Sequence, residues 1–341
     1  MRYLIFGGTG SLGKKLIERL LPQHSVAVYS RDEAKHWTIR NELAGSPLAD
    51  RSRAALKFFV GDIRDPFRVK DVIRQYAPEI IIIAAALKQV DTCELSPSES
   101  VMTNLMGTQN VINAVNDLSN ARTTKVLFVS TDKACAPVNV YGMCKAISER
   151  VVVSQSQTST APTKFICVRY GNVLESRGSI IPLFKYQAEH NEHLTVTDPE
   201  MTRFIMTLDD SVNLIQKALL AGQSGDTWIP KPVAMRIGDL ADIFSKQSGK
   251  QIKVIGLRPG EKKHEDLINE SESVRTQSVD AHFVIKPATV APFTPGFTYS
   301  SNQSVLSRDE LEAHLRGLGV VDAPLAAFVG TTIEDIITNR K

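Results

Sequence analysis

The sequence predicts an α/β chain: a doubly wound parallel sheet with a smaller mixed C-terminal lobe on its substrate side. Three observations lead there. Short β-branched or aromatic runs recur between stretches whose apolar residues return at three- and four-residue spacing, the pattern of βαβ units. The runs are apolar at nearly every position, so both sheet faces need helices over them. After about Asn172 the alternation loosens into segments bearing proline and charge, such as "TDPEMTRF" and "GLRPGEKKHE".

Taken in order, strands are expected at residues 3–6, 26–29, 56–60, 80–84, 126–130 and 165–169, with helices at 12–21 and 98–118 among the segments between them. Ligands of such sheets lie beyond the strand carboxyl ends, so functional residues should follow each strand. Residues 1–171 are expected to form the nucleotide-binding sheet with the catalytic residues, and 172–322 a substrate lobe that can share elements with it. Residues 323–341 read equally as a terminal helix or a loose tail.

The totals exclude several classes. At 341 residues, 43% hydrophobic and 23% charged, the chain can bury a sizeable core and has a globular composition. A net charge of +3, with no dense Lys/Arg stripe, argues against nucleic acid as a partner and leaves a small anionic substrate open. Cys93, Cys135, Cys144 and Cys167 form no CxxC pair, which speaks against a disulfide framework or zinc site and for a reducing cytoplasm. The opening "MRYLIFGGTG" lacks a signal-peptide pattern, and no apolar stretch reaches membrane-spanning length, so no membrane association is expected.

After the first strand, "GGTGSLG" sets Gly7, Gly10 and Gly13 at GxxGxxG spacing before a helix. Glycines permit a tight turn and close approach to a pyrophosphate, and the helix amino terminus supplies N–H donors and a positive dipole end. Thr9, Ser11 and Leu12 share this turn. The second strand ends in "YSRDEAK": Ser30, Arg31 and Lys35 fall where the adenosine ribose would lie, and Arg31 favours the 2′-phosphate of NADP, although Asp32 keeps NAD open. Asp62, followed by Ile63, suits either the adenine amino group or the cap of the next helix. Ala84, Ala85 and Ala86 let a cofactor approach the backbone, though ordinary tight packing looks the same. Lys88 and Asn104 complete the cofactor set, Lys88 also facing substrate.

The stretch "VSTDKACAPVNVYGMCK" follows the fifth expected strand. Tyr141 and Lys145 stand at i,i+4, on one helical face and within reach of one ribose and one sugar. A free phenol titrates near about 10, and bringing it to neutrality takes roughly 4 kcal/mol of differential stabilisation. Lys145 and an oxidised nicotinamide are the expected sources of that positive charge.

Together the glycine turn, "STDKA" and YxxxK resemble an extended short-chain dehydrogenase/reductase acting on nucleotide sugars, with a Rossmann sheet. More narrowly, "YSRDE", "AAALK", "STDKA", "VRYGNV", "SRGS", "MTRF" and "RPGEKKHE" resemble the inverting UDP-N-acetylglucosamine 4,6-dehydratases of surface-polysaccharide and flagellin-sugar synthesis, which also epimerise C5. The likeness covers most of the chain. Glu175 departs from the small residue the family carries beside "SRGS".

The resemblance implies an NADP-dependent, oligomeric enzyme in which hydride passes from sugar C4 to the nicotinamide while Tyr141 takes the hydroxyl proton. The C4 ketone makes the C5 proton acidic; Lys133 removes it, Asp132 protonates the departing C6 hydroxyl, and hydride returns to C6. Lys133 must then act neutral and Asp132 protonated, which calls for pKa values pushed toward each other. Thr131, Asn172, Arg177, Arg203, Arg258 and Glu261 are assigned to a UDP-sugar, the guanidinium groups to its diphosphate. A nucleotide-sugar 4-epimerase and a non-catalytic NADP-binding protein are the competing readings.

Overall fold

The computed structural model describes residues 1–118, 122–159, 162–174, 176, 178–289 and 295–324. Six strands, β1 (Arg2–Phe6), β2 (Ser25–Ser30), β3 (Leu56–Val60), β4 (Ile80–Ile83), β5 (Lys125–Val129) and β6 (Lys164–Val168), pair in parallel in the order β3-β2-β1-β4-β5-β6. The order reverses between β1 and β4, and a ligand crevice opens at such a switch point.

Side-chain alternation along these strands builds two cores. Ile5, Val28, Ile82 and Leu127 face one side and pack with Leu16, Leu20 and Ile215 of the helices Ser11–Leu20 and Leu208–Ala221. Leu4, Phe6, Ile81, Ile83 and Phe128 face the other and meet Val69, Val72, Val111 and Val152 of the helices Pro66–Tyr76, Gly107–Asp117 and Val140–Thr158. Because both faces are covered, the strands read as unbroken apolar runs.

The later half continues with β7 (Asn172–Val173), β8 (His193–Val196), β9 (Thr202–Met206), β10 (Thr227–Pro230), β11 (Ala234–Arg236), β12 (Gln251–Val254), β13 (Asp266–Ile268), β14 (Thr276–Val279), β15 (His282–Ile285) and β16 (Tyr299–Ser300). Three of these return to the large sheet: β10 pairs in parallel with β6, then β15 and β14 follow antiparallel, giving nine strands. The halves on either side of residue 172 therefore share one sheet. The small lobe keeps its own core around Phe184, Leu194, Met235, Leu240, Phe244 and Leu315. Of the 323–341 segment, residues 325–341 lie outside the described residues.

The helix expected at 98–118 is three pieces: Pro97–Ser100, a π-helical turn Val101–Met106, and Gly107–Asp117. All four cysteines are free and buried. Among the described residues no helix is long and apolar enough to cross a membrane.

Candidate active site

A cleft of about 1030 Å³ lies over the carboxyl ends of β1, β4, β5 and β6 and reaches into the small lobe. Its floor is the glycine turn. Gly7 has φ +80°, and a Cβ there would sit 2.6 Å from the Ala85 backbone, so the turn and the Ala84–Ala85 segment touch directly. At Gly13 a Cβ would lie 2.4 Å from Gly8, which lets the helix start flush against the turn. Gly10 caps that helix without a side-chain hydrogen bond, and its first turn carries no acid, leaving its N–H donors and dipole for an anion. Gly7, Thr9, Gly10, Ser11, Leu12 and Gly13 all line the cleft.

Ser30, Arg31, Lys35, Asp62, Ile63, Ala84, Ala85, Ala86 and Lys88 line it too. Asp32 caps its helix and pairs with Lys35 at 3.1 Å, while Arg31, half-exposed, reaches only 3.8 Å from Asp62. The cap of the helix after β3 is Asp65, so Asp62 does not serve as that cap. Its carboxylate accepts from the Arg64 backbone N–H and guanidinium at 2.6 to 2.9 Å. Burial pushes that carboxyl up, but Arg64 outweighs it and holds the group below its usual range.

Asn104 departs from its expected role. It does not line the cleft: its buried amide accepts from the Leu87 N–H at 2.8 Å and donates to the Leu87 carbonyl at 2.9 Å. Placed by the π-helical turn, it fixes the backbone next to Lys88.

After β5 the chain makes one 3₁₀ turn, Asp132–Ala134, capped by Thr131. Asp132 is 1% exposed; its Oδ1 accepts from Thr131 Oγ1 at 2.9 Å and from Lys133 Nζ at 3.1 Å, and its Oδ2 has no hydrogen-bond partner. The helix Val140–Thr158 begins under this turn, capped by Asn139. Gly142 makes the approach possible, since a Cβ there would fall 2.2 Å from the Lys133 carbonyl oxygen. Tyr141, Lys145, Asp132 and Lys133 thus meet at one wall of the cleft.

The electrostatics differ from expectation at three groups. Burial pushes the Tyr141 phenol up to about 12, and the groups pulling it down are Lys133 and Thr131 rather than Lys145. Burial drives Lys145 down to about 8, with Glu149 opposing; its Nζ donates to the Val129 carbonyl at 2.7 Å and lies 4.3 Å from the Phe128 ring centroid. For Lys133, burial disfavours the ammonium, yet Asp132 and Glu265 outweigh it and hold the amine above its usual value. The balance favours the ammonium over the neutral amine.

On the facing lobe, Asn172 presents a buried Oδ1 without a hydrogen-bond partner. Arg203 lines the cleft, but its Nη1 donates to the Thr202 carbonyl at 2.7 Å and its Nη2 to that of Lys262 at 2.9 Å, so it braces the 262–263 backbone. Arg258 is held by Glu261 in its own turn at 2.5 Å and by Asp91 at 3.0 Å. The intervening Gly260, at φ +78°, accepts from Asn139 Nδ2 at 2.8 Å, which ties this loop to the start of the catalytic helix. Arg177 and Glu175 lie outside the described residues. The sequence reading passed over Glu265, the last letter of "RPGEKKHE", 3.3 Å from Lys133 Nζ.

Among the described residues, five that line the cleft carry a buried side-chain oxygen without a hydrogen-bond partner: Thr103, Ser130, Asp132, Asn172 and Glu265. Buried polar atoms are normally paired, so this concentration fits a polar ligand. The glycine cradle, the uncapped helix end and the small Ala84–Ala86 wall fit a dinucleotide beside it.

The chain is similar to several known proteins. The family described as polysaccharide biosynthesis protein matches residues 3–287. A UDP-glucose 4-epimerase of Rickettsia prowazekii is 37% identical over 291 residues, 83% of this chain and 82% of that protein. The X-ray structure of Pen from Bacillus thuringiensis superposes with a TM-score of 0.85 at 32% identity, over 94% of this chain and 98% of that one. A dTDP-glucose 4,6-dehydratase of Streptomyces venezuelae, solved with NAD bound, shares the fold at a TM-score of 0.65 and 22% identity, over 77% of this chain and 86% of that one.

Proposed function

The chain belongs to the polysaccharide biosynthesis protein family, an extended short-chain dehydrogenase/reductase by fold, and from that premise we propose that it is an NADP-dependent, C5-inverting UDP-N-acetylglucosamine 4,6-dehydratase. One observation carries the reading: an acid and an amine, Asp132 and Lys133, share a 3.1 Å hydrogen bond on the cleft wall beside Tyr141. Exchange of configuration at C4 needs only Tyr141 and a hydride carrier. Elimination of water across C5 and C6 also needs a base and an acid, and this pair supplies both.

A bound nicotinamide supplies the hydride acceptor for sugar C4. Tyr141 accepts the C4 hydroxyl proton, helped by the Lys133 and Thr131 interactions that lower its phenol. Moving one proton from Lys133 Nζ to Asp132 along their hydrogen bond turns the charged pair into an amine and a carboxylic acid at once. Burial penalises both charges and so lowers the cost of that transfer, against the pull of Glu265, which favours the ammonium. The amine then takes the C5 proton, and Asp132 protonates the leaving C6 hydroxyl.

The test is incubation with UDP-N-acetylglucosamine in heavy water and no added NADPH, followed by NMR. The expected product is a 4-keto sugar lacking the C6 hydroxyl and carrying deuterium at C5; a C4 isomer with neither change refutes the reading. That second outcome belongs to a 4-epimerase, the alternative favoured by the Rickettsia relative's name. Tyr141→Phe is expected to slow cofactor reduction in a single turnover by ~10²- to 10⁴-fold.

The NADP reading rests on Arg31, which no carboxylate among the described residues holds closer than Asp62 at 3.8 Å. Arg31→Ala should weaken NADP binding by ~10- to 100-fold, the worth of a charge-assisted hydrogen bond, and leave NAD binding nearly unchanged by calorimetry. Equal losses for both dinucleotides would remove Arg31 from cofactor choice. Cytoplasmic residence and a homo-oligomeric state belong to the same proposal.

A further inference from the structure

Lys133 has charged neighbours on two sides. Its Nζ lies 3.1 Å from Asp132 Oδ1 and 3.3 Å from Glu265 Oε1. Glu265 comes from the opposite lobe, just before β13, and is 2% exposed. Its other oxygen, Oε2, has no hydrogen-bond partner and stands 3.6 Å from Lys262 Nζ. The charged or titratable groups acting on Lys133 are thus Asp132 from its own turn, Glu265 and Arg203 from the small lobe, and Tyr141 from the catalytic helix, with Lys262 behind Glu265.

A carboxylate that cannot reach water is costly to keep unless it is paired, and Lys133 at 3.3 Å is nearer to Glu265 than Lys262 at 3.6 Å. We propose that Glu265 is the positioning residue for Lys133: it clamps the side-chain nitrogen from the small lobe and makes the amine a stronger base toward sugar C5. Two consequences follow from the charge. The bare amine, next to an anion, gains proton affinity, and the ammonium formed when the C5 proton arrives is stabilised where it forms. One half of the clamp comes from each side of the cleft. The proposal rests on the reading of Lys133 as the C5 base.

The fold does not depend on the Glu265 carboxylate for its local backbone. The Glu265 N–H donates to Ser301 Oγ at 3.0 Å, and its carbonyl accepts from the Ser301 N–H at 2.8 Å. Glu265→Gln keeps shape and removes charge; Glu265→Asp keeps charge slightly farther away.

Lysine side-chain ¹³C NMR without substrate, with Lys133 identified by the resonance missing in Lys133→Arg, reads the clamp directly. In Glu265→Gln the Lys133 midpoint is expected about one pH unit or more below the wild type, a tenfold loss of proton affinity. Glu265→Asp should lie between the two. An unchanged midpoint in Glu265→Gln, or the same midpoint in both variants, overturns the proposal. With substrate, Glu265→Gln should lose at least about tenfold in C5 deuterium incorporation relative to C4 oxidation. Equal loss in both steps would mark Glu265 as merely structural and also overturn it. Failure of the wild type to label C5 would count against the C5-base reading, while the substrate-free titration still decides whether Glu265 sets the charge of Lys133.

Discussion

Lys133→Ala is expected to abolish dehydration, by ~10²- to 10⁴-fold or more, while sugar C4 is still oxidised. The two steps separate because Tyr141 and the dinucleotide cradle are positioned by other elements, although losing the Lys133 charge that lowers the Tyr141 phenol should slow C4 oxidation as well. Tyr141 is fixed by the helix Val140–Thr158 and the Asn139 cap, and the cradle by β1 and β4. Alanine also leaves Asp132 and Glu265 buried without their shared cation, so a companion variant is needed. Lys133→Arg preserves the charge between the two carboxylates but does not release its proton at working pH. It should fold, reduce bound cofactor and leave C5 unlabelled in heavy water. Normal keto-sugar formation by either variant would take the C5 step away from position 133.

Arg169→Ala is expected to lower stability by about 3–5 kcal/mol, the cost of breaking a buried ion network on one side. All five N–H donors of this guanidinium are used: toward Glu149 at 3.0 and 2.5 Å, Glu272 at 2.8 and 2.7 Å, and the Leu267 carbonyl at 2.9 Å. The bonds join the end of β6, the catalytic helix and the segment around β13. Burial pushes the Glu272 carboxyl up, but Arg169 outweighs it and keeps it below its usual range. Such a group stabilises the fold above the ordinary glutamate value and loses that contribution as pH falls through its lowered folded value. Without Arg169 the sign reverses: the two carboxyls bind protons more readily when folded, so the variant's deficit should shrink on acidification from pH about 7 to about 5. Urea unfolding at both pH values measures this. A constant deficit would mean that packing, not charge, explains the loss.

Much of the sheet was legible because its strands are apolar on both faces. The runs expected at 26–29, 126–130 and 165–169 differ from the observed strands mainly at their polar ends, where Ser25, Lys125 and Lys164 join the ladder through backbone alone. Hydrophobic pattern carries no record of such residues. The π-helical turn was hidden for a related reason: one extra residue in a turn leaves three- and four-residue spacing almost unchanged. Asn104, expected in the cofactor set, is aimed by the widened turn at Leu87.

In the site, local motifs picked out the glycine turn, which floors the cleft, and Asp132, Lys133, Tyr141 and Lys145, which share one wall. What they did not convey was competition for each charge. Arg203 and Arg258 look like open phosphate ligands in sequence, but in space carbonyls hold the first and carboxylates the second. Glu265 acts on Lys133 only through a contact between lobes, and no spacing along the chain announces it.

The return of β10 to the edge of β6 also bears on how the molecule is made. As the polypeptide leaves the ribosome, Lys164–Val168 emerges long before Thr227–Pro230, and at ~5–20 residues per second the wait lasts several seconds. Throughout that interval an apolar strand offers bare N–H and C=O groups to any neighbouring nascent chain. Crowded translation is therefore a stage at which this strand is exposed to mispairing.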